Sequence, residues 1–293
     1  MILDAHQHVW DLARSPYAWL GPQHGPIFRD VAEEEVLPSL RRCGVDGVVL
    51  VQADDTSADT ALMLDTAARH PEVVAVVGYV PLEDPATTAE LLPALAADPL
   101  VVGIRNLIHD RPDPDFLLRP DVQESLGLLA AAGLTFDVVS VLPRHLEHVP
   151  VLAERHPGLR LVIDHLSKPP IGEEAAEPWA GLLARAAAAP NVYAKVSGLY
   201  PGRDPERWTT GTIRPFVEHA LDVFGPGRLM YGGDWPVSVL AGGYPAVWDG
   251  LQPIFAALAP DEAEQVLAGT AVRCYGIDAG RLAALPSTPG EGR

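Results

Sequence analysis

Residues 159–165 read LRLVIDH, a run in which the apolar residues Leu161, Val162 and Ile163 stand side by side before an acid and a histidine. Residues 48–52, VVLVQ, have the same form. A strand that is apolar on both faces is expected in a parallel sheet covered by helices, whereas a half-exposed strand alternates apolar and polar residues. The stretch therefore predicts a buried parallel strand whose carboxyl end carries polar side chains.

Segments of this kind recur at a regular spacing along the 293 residues. The eight candidate strands are residues 2–6, 47–52, 73–80, 101–106, 134–140, 159–165, 191–197 and 229–234. Segments rich in Ala, Leu, Glu and Arg with helical spacing lie between them, and two more follow the last strand. Strict alternation of strand and helix indicates right-handed βαβ units. Eight such units predict an α/β fold of the (β/α)8 TIM-barrel class, distorted and with additional C-terminal helices.

A doubly wound open sheet is the alternative, because it gives the same alternation with fewer strands. The Gly-x-Gly-x-x-Gly turn of its nucleotide-binding forms does not follow the first strand. No repeat or composition break indicates a second domain. We therefore expect one barrel domain over residues 1–285 and a disordered tail over residues 286–293.

The composition restricts the partners and the compartment. The chain has 39 acidic and 21 basic residues and a formal net charge of −18, which repels phosphate backbones and anionic membranes. Two cysteines, Cys43 and Cys274, are too few for a disulfide framework or a zinc cage. The first ten residues lack the basic and apolar regions of a secretory leader. We expect a cytoplasmic monomer or homodimer that binds a small molecule and neither nucleic acid nor membrane.

Polar residues are concentrated at the predicted carboxyl ends of the strands, where barrels of this class hold their catalytic groups. These residues are His6, His8, Gln52, Arg105, Asn106, Asp137, Ser140, Asp164, His165, Lys195, Ser197 and Asp234. His6 and His8 project the same way from a strand, so both imidazoles can reach one metal ion or one substrate oxygen. With His165 and Asp234 they form three imidazoles and a carboxylate that converge on one barrel mouth.

Several stretches resemble the amidohydrolase superfamily, and within it the branch that hydrolyses lactones. They are DAHQHVW at residues 4–10, GIR at 103–105, DHLSKP at 164–169, NVYAKVSG at 191–198 and YGGDWP at 231–236. The resemblance implies a barrel enzyme that opens a cyclic ester, with Asp234 handling the water. Binuclear members carry a bridging Lys or Glu after strand four or five, whereas strand four here ends in Asn106. We therefore expect either no required cofactor or one weakly bound Zn²⁺ or Mn²⁺, held by His6, His8, His165 and Asp234.

Lactone opening assigns a role to each group. Asp234 is the expected base, because an aspartate is ionised at neutral pH and can accept the proton of water. His6, His8 and His165 would stabilise the oxyanion as hydrogen-bond donors or through the metal, and Arg105 would hold a carbonyl or carboxylate. The residues expected to bind substrate are Trp10, Gln52, Asn106, Lys168, Lys195 and Trp235. Lys168 and Lys195 have ion pairing with Asp164 or Asp137 as their alternative role, and His24, His70, His109, His148, His156 and His219 are expected to face solvent or cap helices.

Four functions remain open at this point. A sugar acid lactone, such as an L-fucono-, L-rhamnono- or galactono-lactone, is the expected substrate class. An aryl lactone would favour an arginine-rich pocket, and Arg105 is the one arginine that clearly ends a predicted strand. A metal-dependent decarboxylase of the same superfamily would use the same histidines and aspartate as ligands. A non-catalytic barrel that binds sugar acids would not require the base together with all three histidines.

Overall fold

Eight parallel strands follow one another around a single sheet in the computed structural model, which describes residues 1–173, 175–200 and 208–285. The strands are β1 (Leu3–Gln7), β2 (Gly47–Val51), β3 (Val73–Gly78), β4 (Val101–Asn106), β5 (Thr135–Val138), β6 (Leu161–Ile163), β7 (Val192–Val196) and β8 (Leu229–Tyr231). Each strand pairs in parallel with the next one along the chain. The predicted TIM barrel is confirmed. The observed strands other than β1 and β4 are shorter than predicted, most of all β5, β6 and β8, whose last predicted residues leave the ladder.

Helices separate the strands and follow the last one. They are α1 (Leu37–Cys43), α2 (Ser57–Arg69), α3 (Pro85–Ala97), α4 (Pro120–Ala131), α5 (Pro143–Arg155), α6 (Trp179–Ala187), α7 (Thr210–Phe224), α8 (Tyr244–Phe255), α9 (Pro260–Glu264), α10 (Thr270–Tyr275) and α11 (Ala279–Ala283). A π-helical turn (Gln265–Gly269) joins α9 to α10, and short 3-10 helices cover Pro22–Ile27, Glu33–Glu35, Phe116–Leu118, Asp164–Ser167, Pro226–Arg228 and Val237–Ala241. Four of the helices, α3, α4, α5 and α9, begin with proline, which suits the first helical position because the N–H there has no intrahelical partner. None of the helices in the described ranges is long and apolar enough to cross a membrane.

The apolar side chains form two cores, one on each side of the barrel wall. Leu161 and Ile163 of β6 belong to the larger core, which also contains the residues of the surrounding helices. Val162, between them, belongs to the smaller core together with Met230 of β8 and Tyr275 of α10. Successive strand residues point to opposite faces, so the smaller core is the barrel interior and α10 packs against it. The predicted tail at residues 286–293 lies outside the described residues.

The barrel closes where β8 returns to β1. The backbone N–H of Asp234 donates to the His6 carbonyl at 2.8 Å, and the N–H of His8 donates to the Trp235 carbonyl at 2.7 Å. The buried Asp4 carboxylate spans the same seam, because it accepts from the N–H of His6 at 2.9 Å and that of Gly233 at 2.8 Å. This closure sets the first strand beside the residues that follow the last one.

The long connection between β1 and α1 is fixed to the segment that follows β2. Tyr17 Oη donates to Asp59 Oδ1 at 2.6 Å, and Asp59 Oδ2 accepts from the N–H of Ala53 at 2.8 Å. Trp19 Nε1 donates to the Ala53 carbonyl at 2.6 Å. These bonds hold Trp19 at the carboxyl end of the barrel.

Candidate active site

The structure brings together the four side chains that the sequence predicts to converge. Asp234 Oδ1 lies 3.7 Å from His6 Nε2, 3.8 Å from His8 Nε2 and 3.9 Å from His165 Nε2. All four residues are buried, and His165, the most exposed of them, is 7% exposed. They leave three strands, β1, β6 and β8, at the same end of the barrel. Closure of the parallel sheet therefore assembles the group from distant parts of the chain.

The backbone leaves β6 in a turn that carries His165 to the site. Residues 165–168 all have positive φ, between 49° and 60°. The left-handed conformation costs a non-glycine residue about 1–2 kcal/mol, so neighbouring contacts must hold this turn in place. Trp179 Nε1 donates to the Leu166 carbonyl at 2.7 Å, and Ser167 Oγ lies 2.6 Å from Ser140 Oγ. Strain of this kind is typical of functional sites.

Glycine is required where β7 passes the site. Gly198 has a φ of +56°, and a Cβ there would lie 2.6 Å from His165 Nδ1 and 2.9 Å from Asp234 Oδ2. Both separations are too short for any side chain. The backbone of Gly198 therefore lets these two residues approach each other.

The hydrogen bonds of two histidines indicate which nitrogen faces the site. His8 Nδ1 lies 2.6 Å from the Val51 carbonyl, which only accepts, so Nδ1 carries the proton and Nε2 keeps its lone pair. His165 Nδ1 bonds Ser197 Oγ at 2.8 Å, and its Nε2 points towards Asp234. Burial lowers the pKa of His6 to about 3 and the pKa values of His8 and His165 well below their ordinary range. All three imidazoles are therefore neutral at pH 7.

Asp234 presents its two oxygens to different partners. Tyr200 Oη donates to Oδ2, whereas Oδ1 faces the histidines. Burial raises the pKa of Asp234 above its ordinary value, although the Lys168 ammonium and the Tyr200 hydrogen bond act in the opposite direction. Lys168 Nζ in turn donates to the Gly198 carbonyl at 3.4 Å and lies 5.8 Å from the centre of the Tyr200 ring.

Arg105 is held in place by the protein but still faces the site. Its NH1 donates to Asp164 Oδ2 at 2.9 Å, its Nε donates to Gln52 Oε1 at 3.3 Å, and its NH2 donates to the Gln52 carbonyl. Burial alone would raise the pKa of Asp164. The pKa is nevertheless well below its ordinary value because of Lys195, His6 and Arg105. The guanidinium is thus a fixed positive charge at the carboxyl end of β4.

A cavity of about 170 Å³ opens over these groups. Its polar side and its apolar side are formed by different strand ends and loops. The lining residues are His8, Arg105, His109, His165, Lys168 and Asp234, with Trp19, Ala53, Leu107, Val139, Val141 and Val237. The cavity can therefore bind a molecule with one carbonyl or hydroxyl face and one hydrocarbon face.

Five residues expected to bind substrate lie beside or beneath the cavity rather than in its described lining. Trp10 Nε1 donates to the Arg29 carbonyl at 2.7 Å, and Asn106 Nδ2 donates to the Val80 carbonyl at 3.0 Å. Lys195 is fully buried in ion pairs with both acids that the sequence offers as its alternative partners. The five residues are Trp10, Gln52, Asn106, Lys195 and Trp235. Of the expected substrate-binding residues, Lys168 lines the cavity.

Three residues of the site are not predicted from the sequence. Tyr200 bonds Asp234 from the loop after β7, and Trp19 lines the cavity from the long connection between β1 and α1. His109, which is expected to face solvent or cap a helix, lines the cavity with a side chain that is 26% exposed. His148 is also buried, with Nε2 2.9 Å from Asp115 Oδ1. The signal available for His109 was its place three residues after the end of β4.

Part of the predicted ligand set fits a divalent metal. Ligand atoms of His6, His8 and Asp234 lie within 4.8 Å of one another, and all three residues are buried. Two neutral imidazoles and a carboxylate are a donor set that Zn²⁺ accepts, and the carbonyl bonded to His8 Nδ1 orients its ring as outer partners of metal ligands do. His165, the fourth predicted ligand, lies outside this group among the residues that the structure describes.

Known proteins resemble this chain over nearly its whole length. A family model described as amidohydrolase matches residues 3–277. An L-fucono-1,5-lactonase of Burkholderia ambifaria is 38% identical over 280 residues, which are 94% of this chain and 96% of that protein. An L-fucono-1,5-lactonase of Burkholderia multivorans is 32% identical over 286 residues, covering 94% and 96% of the two chains. A crystal structure of a Burkholderia multivorans amidohydrolase with bound Zn superimposes with a TM-score of 0.86 at 31% identity, over 95% of this chain and 100% of that one.

Proposed function

The chain belongs to the amidohydrolase family and is a lactonase of that family, and we propose that it hydrolyses a sugar acid lactone of the L-fucono-1,5-lactone type. The observation that carries the proposal is the position of Asp234. Its Oδ1 lies under 4 Å from the Nε2 atoms of three neutral histidines, beneath a cavity of about 170 Å³. The Asp234 carboxylate, which can accept the proton of water, therefore lies beside histidines that can interact with a carbonyl.

Asp234 is the proposed base. Tyr200 occupies Oδ2, which leaves Oδ1 to take the proton of a water molecule as that water attacks the lactone carbonyl carbon. Burial raises the pKa of the carboxyl, which makes the carboxylate a stronger base than an exposed one. General base catalysis by a positioned group contributes about 10²–10⁴ in rate.

The carbonyl oxygen gains negative charge as the water attacks. When the Ser197 hydroxyl donates to His165 Nδ1, the proton of His165 stands on Nε2, where it can donate to that oxygen. The fixed charges of Arg105 and Lys168 line the same cavity and stabilise the oxyanion further. The bond from the carbonyl carbon to the ring oxygen then breaks, and protonated Asp234 returns its proton to the ring oxygen to give a hydroxy acid.

His6, His8 and Asp234 are the residues that would hold a divalent metal, and a metal there would supply Lewis acidity towards the carbonyl oxygen. The other contributions do not depend on it. Tyr200 orients the base, Arg105 and Lys168 supply positive charge, and burial of the group limits the access of bulk water.

The apolar side of the cavity supports a deoxy sugar acid as substrate. Leu107, Val139 and Val141 form a hydrocarbon surface that can cover a methyl group, and the Trp19 indole can stack on the C–H face of a sugar ring. An aryl dicarboxylate would require additional cations, and the arginine that lines the described part of the cavity is Arg105, which is already bonded to Asp164.

A panel of aldonolactones in a pH-indicator assay, with and without chelator, tests the proposal. We expect hydrolysis of L-fucono-1,5-lactone, and a loss of at least about 10²-fold in kcat for Asp234→Asn. The matched control is Asp222→Asn, which changes an exposed acid on α7 and should keep the wild-type kcat. Full activity of Asp234→Asn would refute the base. Decarboxylation of an aromatic acid that disappears with chelator, with no lactone hydrolysed, would favour the decarboxylase instead.

A further inference from the structure

A closed set of buried charges lies directly beneath the active site. Lys195 Nζ donates to Asp137 Oδ2 at 2.6 Å and lies 3.1 Å from Asp164 Oδ1. Asp164 is also paired with Arg105, and Tyr275 Oη donates to Asp137 Oδ2 at 2.8 Å. Two cations balance two carboxylates. Lys195 and Asp137 are fully buried, so neither can contact a molecule in the cavity.

Arg105 itself lines the cavity, with NH1 3.5 Å from His6 Nε2, and Lys195 meets the site through His6 Nδ1. This nitrogen lies 3.1 Å from Lys195 Nζ and 3.2 Å from Asp164 Oδ1. An ammonium can only donate and a carboxylate can only accept. His6 therefore has a partner for each of its neutral forms. Nδ1 can accept from Lys195 with the proton on Nε2, or it can direct its own proton towards Asp164 Oδ1 while Nε2 accepts from Arg105 NH1, which lies 3.5 Å away.

The two forms of His6 present different chemistry to the site. His6 Nε2 lies 3.1 Å from His8 Nε2, which keeps its lone pair because His8 Nδ1 donates to Val51. When His6 carries its proton on Nε2, that proton is a hydrogen-bond donor within the group around Asp234. When His6 Nε2 is unprotonated, two lone pairs face each other, which is the arrangement that two ligands of one cation require.

We propose that Lys195 and Asp164 are positioning residues that set the tautomer of His6. Lys195 favours the form with the proton on Nε2, and Asp164 favours the form whose Nε2 is a metal ligand. The inference rests on the proposed function only in its catalytic consequence, which is that the first form donates to the lone pair of His8 Nε2, an atom of a cavity-lining residue, whereas the second leaves that lone pair free for a metal. Its tests are therefore made without substrate, so that their failure is distinct from a wrong choice of lactone.

Lys195→Met and Asp164→Asn test the two halves of the inference. Methionine removes the donor to His6 Nδ1, so we expect Zn²⁺ to bind about 10–100-fold more tightly in a chelator competition assay. Asparagine weakens the acceptor, so we expect Zn²⁺ to bind about 10–100-fold more weakly. A purely structural role would weaken metal binding in both variants. Affinities that move in the same direction in the two variants would overturn the proposal.

The tautomer itself is read from ¹⁵N-labelled histidine by NMR in the metal-free protein, with the His6 signals assigned from their loss in His6→Gln. We expect the proton on Nε2 in the wild type and on Nδ1 in Lys195→Met. Lys168→Met is the control, because it removes a cavity cation that makes no described contact with His6, and its His6 signals should match the wild type. An unchanged tautomer in Lys195→Met would refute the inference. If burial of unpaired acids prevents Lys195→Met from folding, Lys195→Met with Asp137→Asn restores the balance of charge and carries the same expectations.

Discussion

Replacement of Gly198 by alanine should separate the geometry of the site from the stability of the fold. An alanine there adopts a φ of +56°, which costs about 1–2 kcal/mol of folding free energy. The new Cβ would also lie 2.6 Å from His165 Nδ1 and 2.9 Å from Asp234 Oδ2. To restore an ordinary contact of 3.4 Å, His165 must shift by about 0.8 Å and Asp234 by about 0.5 Å. A misplacement of about 1 Å in an active site costs about 10²-fold in rate.

Gly44 offers a matched control for this experiment. It has a φ of +69° at the end of α1, and a Cβ there would meet nothing within 4 Å. We expect Gly44→Ala to lose about 1–2 kcal/mol of unfolding free energy by urea denaturation, and Gly198→Ala to lose that amount and about 1–3 kcal/mol more for the overpacked site. Only Gly198→Ala should lose kcat on the best lactone of the panel, by about 10²-fold. Values of kcat within about threefold of each other in the two variants would refute the role assigned to this glycine.

Two further predictions follow from single side chains. Tyr200→Phe removes the hydrogen bond to Asp234 Oδ2, which is worth about 1.5–3 kcal/mol to a charged acceptor, so we expect the free energy of unfolding to fall by up to that amount and kcat to fall about 10-fold or more. An unchanged kcat would contradict the orienting role of Tyr200. Burial raises the pKa of Asp59 from 3.8 to about 6. The carboxyl therefore binds a proton more tightly in the folded than in the unfolded state. The stability that this proton contributes is present below pH 4 and is lost as the pH rises through about 6. Relative to Asp59→Asn, the wild type should therefore lose up to about 3 kcal/mol of unfolding free energy between pH 4 and pH 7 in denaturation series, and parallel pH curves for the two proteins would contradict this.

The strands and the group of His6, His8, His165 and Asp234 can be predicted from the sequence because each has a local pattern. Buried parallel strands are short apolar runs, and the residue after such a run is placed at the carboxyl end by the topology alone. His165 and Asp234 were found in this way, although the structure places them after the ends of β6 and β8 rather than within them. The turn at residues 165–168 gives no such signal, because none of its residues is glycine.

The residues that the sequence did not reveal depend on contacts across the barrel. Tyr200 lies in a loop after β7 and has its partner 34 positions further along the chain. For Lys195 the sequence leaves open both substrate binding and ion pairing with Asp164 or Asp137, and the structure holds it in buried ion pairs with Asp137 on β5 and Asp164 after β6 rather than in the cavity lining. Period and spacing identify which strand end a residue belongs to. They do not tell whether its side chain lies in the cavity or below it.

The seam between β8 and β1 determines when the active site can form during synthesis of the chain. His6 and His8 are synthesised before the base at Asp234 and before the backbone groups that align it with His6. A nascent polypeptide that stops before residue 229 contains β1 to β7 but lacks Asp234 and the strand that closes the barrel. The active site can therefore form only after residue 234 has been synthesised.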